Sequence, residues 1–282
     1  MKSDLQLKTV LILGSSGQVG SHLAKYLESR SYKVLKFDVA SCETEDLRLY
    51  QNIYFESLVQ SSDYVFFLAF DAGGSHYLAK YQDTYDFIDN NLKILIYTIN
   101  MLKKYEKPFL FASSQMSNMN QSTYGLLKAI GERYTLSVDG KVVKFWNVYG
   151  YERDEMKFHV ISDFIKMAKV SGEIRMKTTG LETRDFLYAD DCCEGLEIIM
   201  KNYEKIPLNE QLHLANFQWN SIKEVAEIIG EHFNVNIIPG ESHDNVQLNI
   251  KNSPSSYLLN FWKPKTSLKQ GIHKIIKFQM DS

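Results

Sequence analysis

Residues 9–20 read Thr9-Val10-Leu11-Ile12-Leu13-Gly14-Ser15-Ser16-Gly17-Gln18-Val19-Gly20. An apolar, β-branched run passes straight into three glycines, and a helical pattern opens at Gln18 with Val19, Leu23 and Leu27 on one face. Strand, glycine turn and helix in succession let the backbone approach a pyrophosphate, which sits on the free N–H groups of the helix start. Turns at strand ends favour glycine anyway, so the glycines gain their weight from the second strand and the acid that ends it. That apolar run closes on Asp38, 18 residues after Gly20. An acid there accepts hydrogen bonds from the adenosine ribose hydroxyls and repels a 2′-phosphate. The spacing predicts a dinucleotide site that favours NAD over NADP, built on Gly14, Ser16, Gly17, Gln18, Val19, Gly20 and Asp38.

Outward from this loop, short apolar runs at 33–38, 64–70, 108–113 and 141–146 read as buried parallel strands. Amphipathic stretches at 85–105 and 123–138 separate them, and strands alternating with helices imply βαβ units with right-handed crossovers. After about residue 147 the pattern loosens. Helices are expected at 159–170, 190–202, 221–233 and from Ser267, with short strands near 173–177, 185–188 and 211–214. Residues 1–150 are expected to form the cofactor domain, with part of 183–217 returning to it, and 151–282 a smaller substrate lobe.

Composition bounds the partners. The 282 residues carry 32 Lys and Arg against 34 Asp and Glu, a formal net charge of −2. No broad basic field exists for a nucleic-acid backbone or an anionic membrane surface. The start, MKSDLQLKTV, is too polar for a signal peptide, and the most apolar uncharged run, 94–102, is about half a membrane span. Three cysteines, two of them the neighbours Cys192 and Cys193, make no disulfide framework, and the scattered histidines show no metal-ligand spacing. A soluble, reducing, cytoplasmic setting without a metal is expected. Arginines are scarce enough that each is worth asking about as a phosphate clamp.

Tyr124 and Lys128 stand at i and i+4, on one face of a helix. Both residue types are common here, and the spacing recurs at Tyr32 and Lys36, so by itself it carries nothing. Its context does. The strand before it ends in Phe111-Ala112-Ser113-Ser114, which places a hydroxyl at the strand's C-terminal edge, where open parallel sheets bind ligands. A tyrosine is a poor base at its ordinary pKa of about 10. A nearby ammonium and a positive nicotinamide both favour the phenolate. It can then take a proton from a sugar hydroxyl while hydride leaves the same carbon. Ser114 would hydrogen-bond the reacting oxygen.

These residues resemble the extended short-chain dehydrogenases/reductases that act on nucleotide sugars, in the family's order and over nearly the whole chain. Gly14, Gly17 and Gly20 match the glycine loop and Asp38 its acid. Asp46-Leu47 resembles the adenine-contacting pair and Leu68-Ala69, followed by Phe70, the turn after the next strand. Asn90-Asn91, Ser114 and the Tyr124/Lys128 pair follow. Asn147-Val148-Tyr149-Gly150 is similar to the NxYG turn beside the diphosphate, Thr183-Arg184-Asp185-Phe186 to the TRDF motif with its phosphate-clamping arginine, and residues 262–268 to the closing WxPxTSL segment. The resemblance implies an α/β fold, a Rossmann-type doubly wound parallel sheet with a smaller C-terminal α/β substrate lobe. It also implies NAD, a nucleotide-sugar substrate, a role in surface-polysaccharide sugar biosynthesis, and a homodimer formed through the two long helices.

Departures narrow the reading. The family's 4,6-dehydratases carry an Asp-Glu pair after the active-site hydroxyl. Here Gln115 and Met116 stand there, and neither can transfer a proton. Leu68-Ala69-Phe70-Asp71-Ala72-Gly73-Gly74 and His159-Val160-Ile161 resemble strings of the GDP-fucose synthases and GDP-mannose 3,5-epimerases. Their second acid, a cysteine after the serine, is Gln115 here, which remains a candidate substrate contact. His159 has two readings, a hydrogen-bond donor to substrate or an ordinary helix-start histidine. Only nine residues separate Ser114 from Tyr124, a clipped loop that would open the pocket or admit a bulkier sugar. Leu127 replaces the usual serine of YxxSK, and Lys251 is the one available substitute for a missing arginine. The expected activity is hydride transfer at C4 of a nucleotide sugar, a GDP-sugar by these strings. A 4-epimerase with recycled NAD and a catalytically silent nucleotide-binding protein are the alternatives.

Overall fold

The computed structural model describes residues 9–119, 121–242 and 253–281; the polar start and Lys251 lie outside the described residues. The chain opens with β1 (Thr9–Leu13), α1 (Gln18–Ser29), β2 (Lys33–Phe37), α2 (Ile53–Ser61), β3 (Tyr64–Phe67), α3 (Ser75–Tyr81) and α4 (Tyr85–Lys104). It continues through β4 (Phe109–Ser114), α5 (Thr123–Leu136), β5 (Lys141–Phe145) and β6 (Val148–Tyr149). The second half holds α6 (Val160–Ser171), β7 (Glu173–Arg175), β8 (Thr183–Asp185), β9 (Leu187–Tyr188) and α7 (Ala189–Lys201). It closes with β10 (Leu212–Leu214), β11 (Trp219–Ser221), α8 (Ile222–Phe233), β12 (Asn236–Ile238) and α9 (Leu268–Asp281).

Six strands form the central sheet in the order β10-β5-β4-β3-β1-β2, every pair parallel. Strand order reverses between β1 and β3, which makes the crevice at their carboxyl ends the switch point of a doubly wound fold. The pleat explains why β1 is apolar throughout. Val10 and Ile12 face a core shared with Leu23 and Leu27 of α1 and Leu196 of α7, while Leu11 and Leu13 face Ile99 and Leu102 of α4. With both faces covered, each such side chain contributes roughly 1.5–3 kcal/mol.

The second-half strands are short and scattered. The run expected at 185–188 is two strands: β8 pairs antiparallel with β11, and β9 pairs parallel with β6, the buried Phe186 marking the bend between them. α7 packs on α1 and β10 completes the main sheet, so 189–214 lies against the first 150 residues. A separate core joins α6, α8 and α9 through Ile165, Ile229 and Ile272.

Several boundaries correct the sequence reading. The run expected at 64–70 leaves the sheet after Phe67, so Leu68, Ala69 and Phe70 form the lip of the crevice. Thr84 caps the start of α4 by accepting from Phe87 N, which divides α3 from α4. Tyr77 and Tyr81 pack together on α3, and Tyr85 is exposed. Cys192 and Cys193 are fully buried as small apolar groups. No helix among the described residues is long and apolar enough to cross a membrane.

Candidate active site

The carboxyl ends of β1, β3, β4 and β5 open into one cavity of about 1370 Å³, lined by the glycine loop, Asp38, Asp46, Leu47, Leu68 to Phe70, Asn90, Ser114, Gln115, Tyr124, Lys128, Asn147, His159 and Arg184, whereas Asn91 is bonded to the Asp71 backbone instead. At its first end lies the glycine loop. Gly14 has φ +85, and a Cβ there would sit 2.7 Å from Ala69 N. A Cβ on Gly20 would lie 2.0 Å from Gly14 O, so only hydrogen lets α1 start this close to β1. Gly17 is the N-cap of α1 and offers no side-chain cap, so the first-turn N–H groups have no capping side chain where Gly17 to Gly20 line the cavity. This cradle and its helix start fit a dinucleotide pyrophosphate.

Asp38 is held against the loop: its carboxylate accepts from Ser16 N at 2.8 Å and Ala40 N at 2.9 Å. Glu45 accepts from Asp38 N at 2.9 Å and lines the same wall, a second carboxylate that sequence reasoning did not find. Two carboxylates side by side on this wall would oppose an added phosphate charge. Other expected contacts are already engaged. Both Asp46 oxygens accept from Arg48, which also donates to Asn90 Oδ1 at 3.2 Å, so this end presents an Asp-Arg-Asn cluster rather than a free Asp46. The Gln18 amide lies against Val148 O and Gly150 N, and the Asn147 amide donates to Asp185 O at 3.3 Å. The side chains of both Gln18 and Asn147 therefore brace the 147–150 turn.

Mid-cavity, Ser122 caps α5 by accepting from Gly125 N, which fixes the helix start that carries Tyr124 and Lys128. Gly125 lies so close to Met116 O that a Cβ would stand 2.2 Å away, so the clipped segment after Ser114 is closed down on α5. Ser114 stands at the end of β4, while the neighbouring Ser113 hydroxyl is turned away to Glu132 at 2.5 Å. Burial pushes the Tyr124 phenol up to about 12, with the Ser114 hydroxyl acting the other way. Burial lowers Lys128 to about 7, against the opposing charge of Glu132. The Lys128 ammonium donates to Ala112 O at 2.7 Å and lies 3.8 Å from the centre of the Phe70 ring and 5.8 Å from that of Tyr124. Burial thus acts on both groups, and it raises the Tyr124 phenol where the sequence reading expected the neighbouring ammonium to favour the phenolate.

Across the cavity His159 is the N-cap of α6 but makes no side-chain cap. Its Nδ1 instead meets Glu152 Oε1 at 2.6 Å, and its backbone N donates to Glu152 Oε2 at 3.0 Å. The helix-start reading is therefore incomplete: the ring is held by a buried carboxylate and faces the cavity. Burial lowers the His159 pKa, but the charge and hydrogen bond of Glu152, with Asp163, outweigh it and leave the imidazole above its ordinary value. Gln115 is buried and Arg184 half-buried on the same wall. Neither Glu152 nor Arg48 carried a sequence signal beyond standing near a motif.

A glycine loop at the switch point and a hydroxyl, phenol and ammonium at the end of β4 define a dinucleotide-binding α/β fold of the short-chain oxidoreductase type. The profile of the NAD dependent epimerase/dehydratase family matches residues 10–215, and the chain belongs to that family. UDP-glucuronic acid decarboxylase 1 of Danio rerio is 24% identical over 318 residues, spanning 98% of this chain and 73% of that protein. GDP-mannose 3,5-epimerase 1 of Oryza sativa subsp. indica is 26% identical over 321 residues, spanning 93% and 79%. The structure of a GDP-6-OMe-4-keto-L-xylo-heptose reductase from C. jejuni shares the fold with a TM-score of 0.82 at 17% identity, covering 98% of each chain.

Proposed function

We propose that this protein is an NAD-dependent oxidoreductase acting at C4 of a nucleotide sugar, interconverting the C4 hydroxyl and ketone. The observation that carries the reading is the placement of Tyr124 and Lys128 on one helix beside Ser114, in a cavity continuous with the glycine loop. When bound, NAD supplies the hydride acceptor. The chain's own groups handle the proton. Tyr124 takes it from the C4 hydroxyl, and Ser114 donates a hydrogen bond to the same oxygen as it becomes a carbonyl. Lys128, turned from Ala112 O toward the cofactor ribose, places positive charge beside the phenolate.

Gln115 and Met116 argue against an elimination, since both line the cavity and neither titrates usefully. The GDP-sugar reading is supported by the 68–74 and 159–161 strings and by the name of one relative. His159 and Gln115 are proposed to contact the sugar, and Arg184 and Asn147 to lie beside the diphosphate. A homodimer through α4 and α5 is proposed from the family resemblance, with Tyr85, Ile96, Leu126 and Ile130 as exposed apolar groups on those helices.

The test is incubation with NAD and a panel of GDP- and UDP-hexoses, following absorbance at 340 nm and product NMR together. A 4-keto product with NADH formation supports the proposal. A C4-inverted sugar with no net NADH assigns a 4-epimerase instead, and no turnover or cofactor binding with any member refutes both.

A further inference from the structure

The cavity extends past Arg184 into the second lobe, where Met176, Lys177, Thr178, Glu182 and Ser242 form its far wall. No step of the proposed reaction uses them. Lys177 is engaged, its Nζ 2.7 Å from Nδ1 of His76 on α3, which ties the two lobes together across the opening. Glu182 differs. Thr178 donates to its Oε1 at 2.5 Å, and Thr178 is itself steadied by Gly180 N at 3.2 Å on a turn with φ +76 at Gly180. The other oxygen, Oε2, has no hydrogen-bond or ion-pair partner among the described residues.

Glu182 stands two residues before Arg184, immediately ahead of β8. Residues two apart on extended chain share a face at a spacing of roughly 6–7 Å. A ligand whose diphosphate lies on Arg184 therefore brings its nucleoside within reach of Glu182. A carboxylate beside a diphosphate is electrostatically unfavourable unless it meets N–H or O–H donors. We infer that Glu182, oriented by Thr178, reads the base of the nucleotide and selects guanine. Guanine presents N1–H and the 2-amino group side by side, two donors that a carboxylate accepts together. Uracil would turn a carbonyl lone pair toward it, and adenine and cytosine each pair one donor with a ring-nitrogen acceptor. This inference rests on the nucleotide-sugar reading and names the nucleotide that the same site takes.

The experiment is calorimetric titration of GDP, IDP and UDP into the NAD-loaded full-length protein, repeated with Glu182→Gln and Thr178→Val. Inosine keeps N1–H and lacks the 2-amino group, so the expected order of affinity is GDP, then IDP, then UDP. Glu182→Gln should weaken GDP by roughly 10- to 100-fold, the scale of hydrogen bonds to a charged group, and leave UDP within about threefold. Thr178→Val should show a smaller loss of the same selectivity. Equal wild-type affinity for GDP and UDP overturns the inference without reference to any variant. An equal loss for all three diphosphates in Glu182→Gln also overturns it and assigns the carboxylate to the ribose. If none of the three binds, the nucleotide-sugar reading itself falls, and the base inference with it.

Discussion

Replacing Gly20 with alanine tests whether the close approach of α1 to β1 is what makes the cofactor cradle. The added methyl would stand 2.0 Å from Gly14 O, 2.9 Å from Gly14 C and 3.0 Å from Ser15 Cα, all backbone atoms that cannot rotate away. Comfortable carbon contacts lie near 3.5–4.0 Å, so helix and loop must part by roughly 1 Å or more. Overpacking of that kind costs about 1–3 kcal/mol. For a protein of this size that is a fall in Tm of roughly 2–10 °C. The displaced groups are the ones that would face the pyrophosphate, and losing one charge-assisted hydrogen bond weakens NAD by about 10-fold or more. Gly172→Ala is the control. It has φ +68 with nothing within 4 Å of the added methyl, so it should lower Tm by a comparable backbone strain and leave NAD affinity intact. Differential scanning fluorimetry and NAD calorimetry read both quantities. Wild-type NAD affinity in Gly20→Ala, or an equal loss in Gly172→Ala, would refute the cradle.

Lys128 makes a signed pH prediction. Its folded pKa of about 7, lowered by burial, lies below an unfolded value near 10.4, so between these the unfolded chain binds more protons and stability rises with pH. In melting scans without cofactor, any advantage of Lys128→Met over wild type should therefore be largest below pH 7 and shrink toward pH 10; a pH-independent difference contradicts the buried ammonium. His159→Ala should reduce kcat/KM for the nucleotide sugar by about 10-fold while the Kd for NAD is unchanged, the scale of one lost hydrogen bond to a charged donor. Glu152→Gln removes the charge that raises the His159 pKa, so the pH at which activity is lost on imidazole deprotonation should move down rather than up. Leu126→Glu with Ile130→Glu should convert the proposed dimer to monomer in light scattering; an unchanged mass shifts the interface elsewhere.

Much of the glycine-loop end of the cavity was legible in sequence because its signals are local. Gly14 and Gly20 each have one backbone reason to be there, and Asp38 falls where a second strand must end. Tyr124 and Lys128 needed only a helix period and a preceding buried strand. What was not legible depends on which side chains the fold brings into contact. Glu152 matters through His159, and Lys177 through His76, 101 residues earlier in the chain. No spacing rule connects either pair. α2 escaped notice because it exposes Ile53 and Tyr54 while burying Phe55, Leu58 and Val59, so its apolar residues do not form one clean face. The engagement of Asp46 by Arg48 was equally invisible, since a motif names a residue and not its partners. β6 and β9, at two residues each, are too short for any periodicity to register.

The decisive measurement follows hydride itself. A GDP-hexose carrying deuterium at C4 is incubated with NAD and either wild-type protein or Tyr124→Phe, then quenched in acid, and the recovered cofactor is weighed by mass spectrometry. Deuterium in the reduced nicotinamide of the wild-type sample, and none from Tyr124→Phe despite an unchanged Kd for NAD, is the expected result. Label that stays on the sugar with wild-type protein, or passes equally to NAD in the Tyr124→Phe variant, contradicts C4 hydride transfer governed by Tyr124.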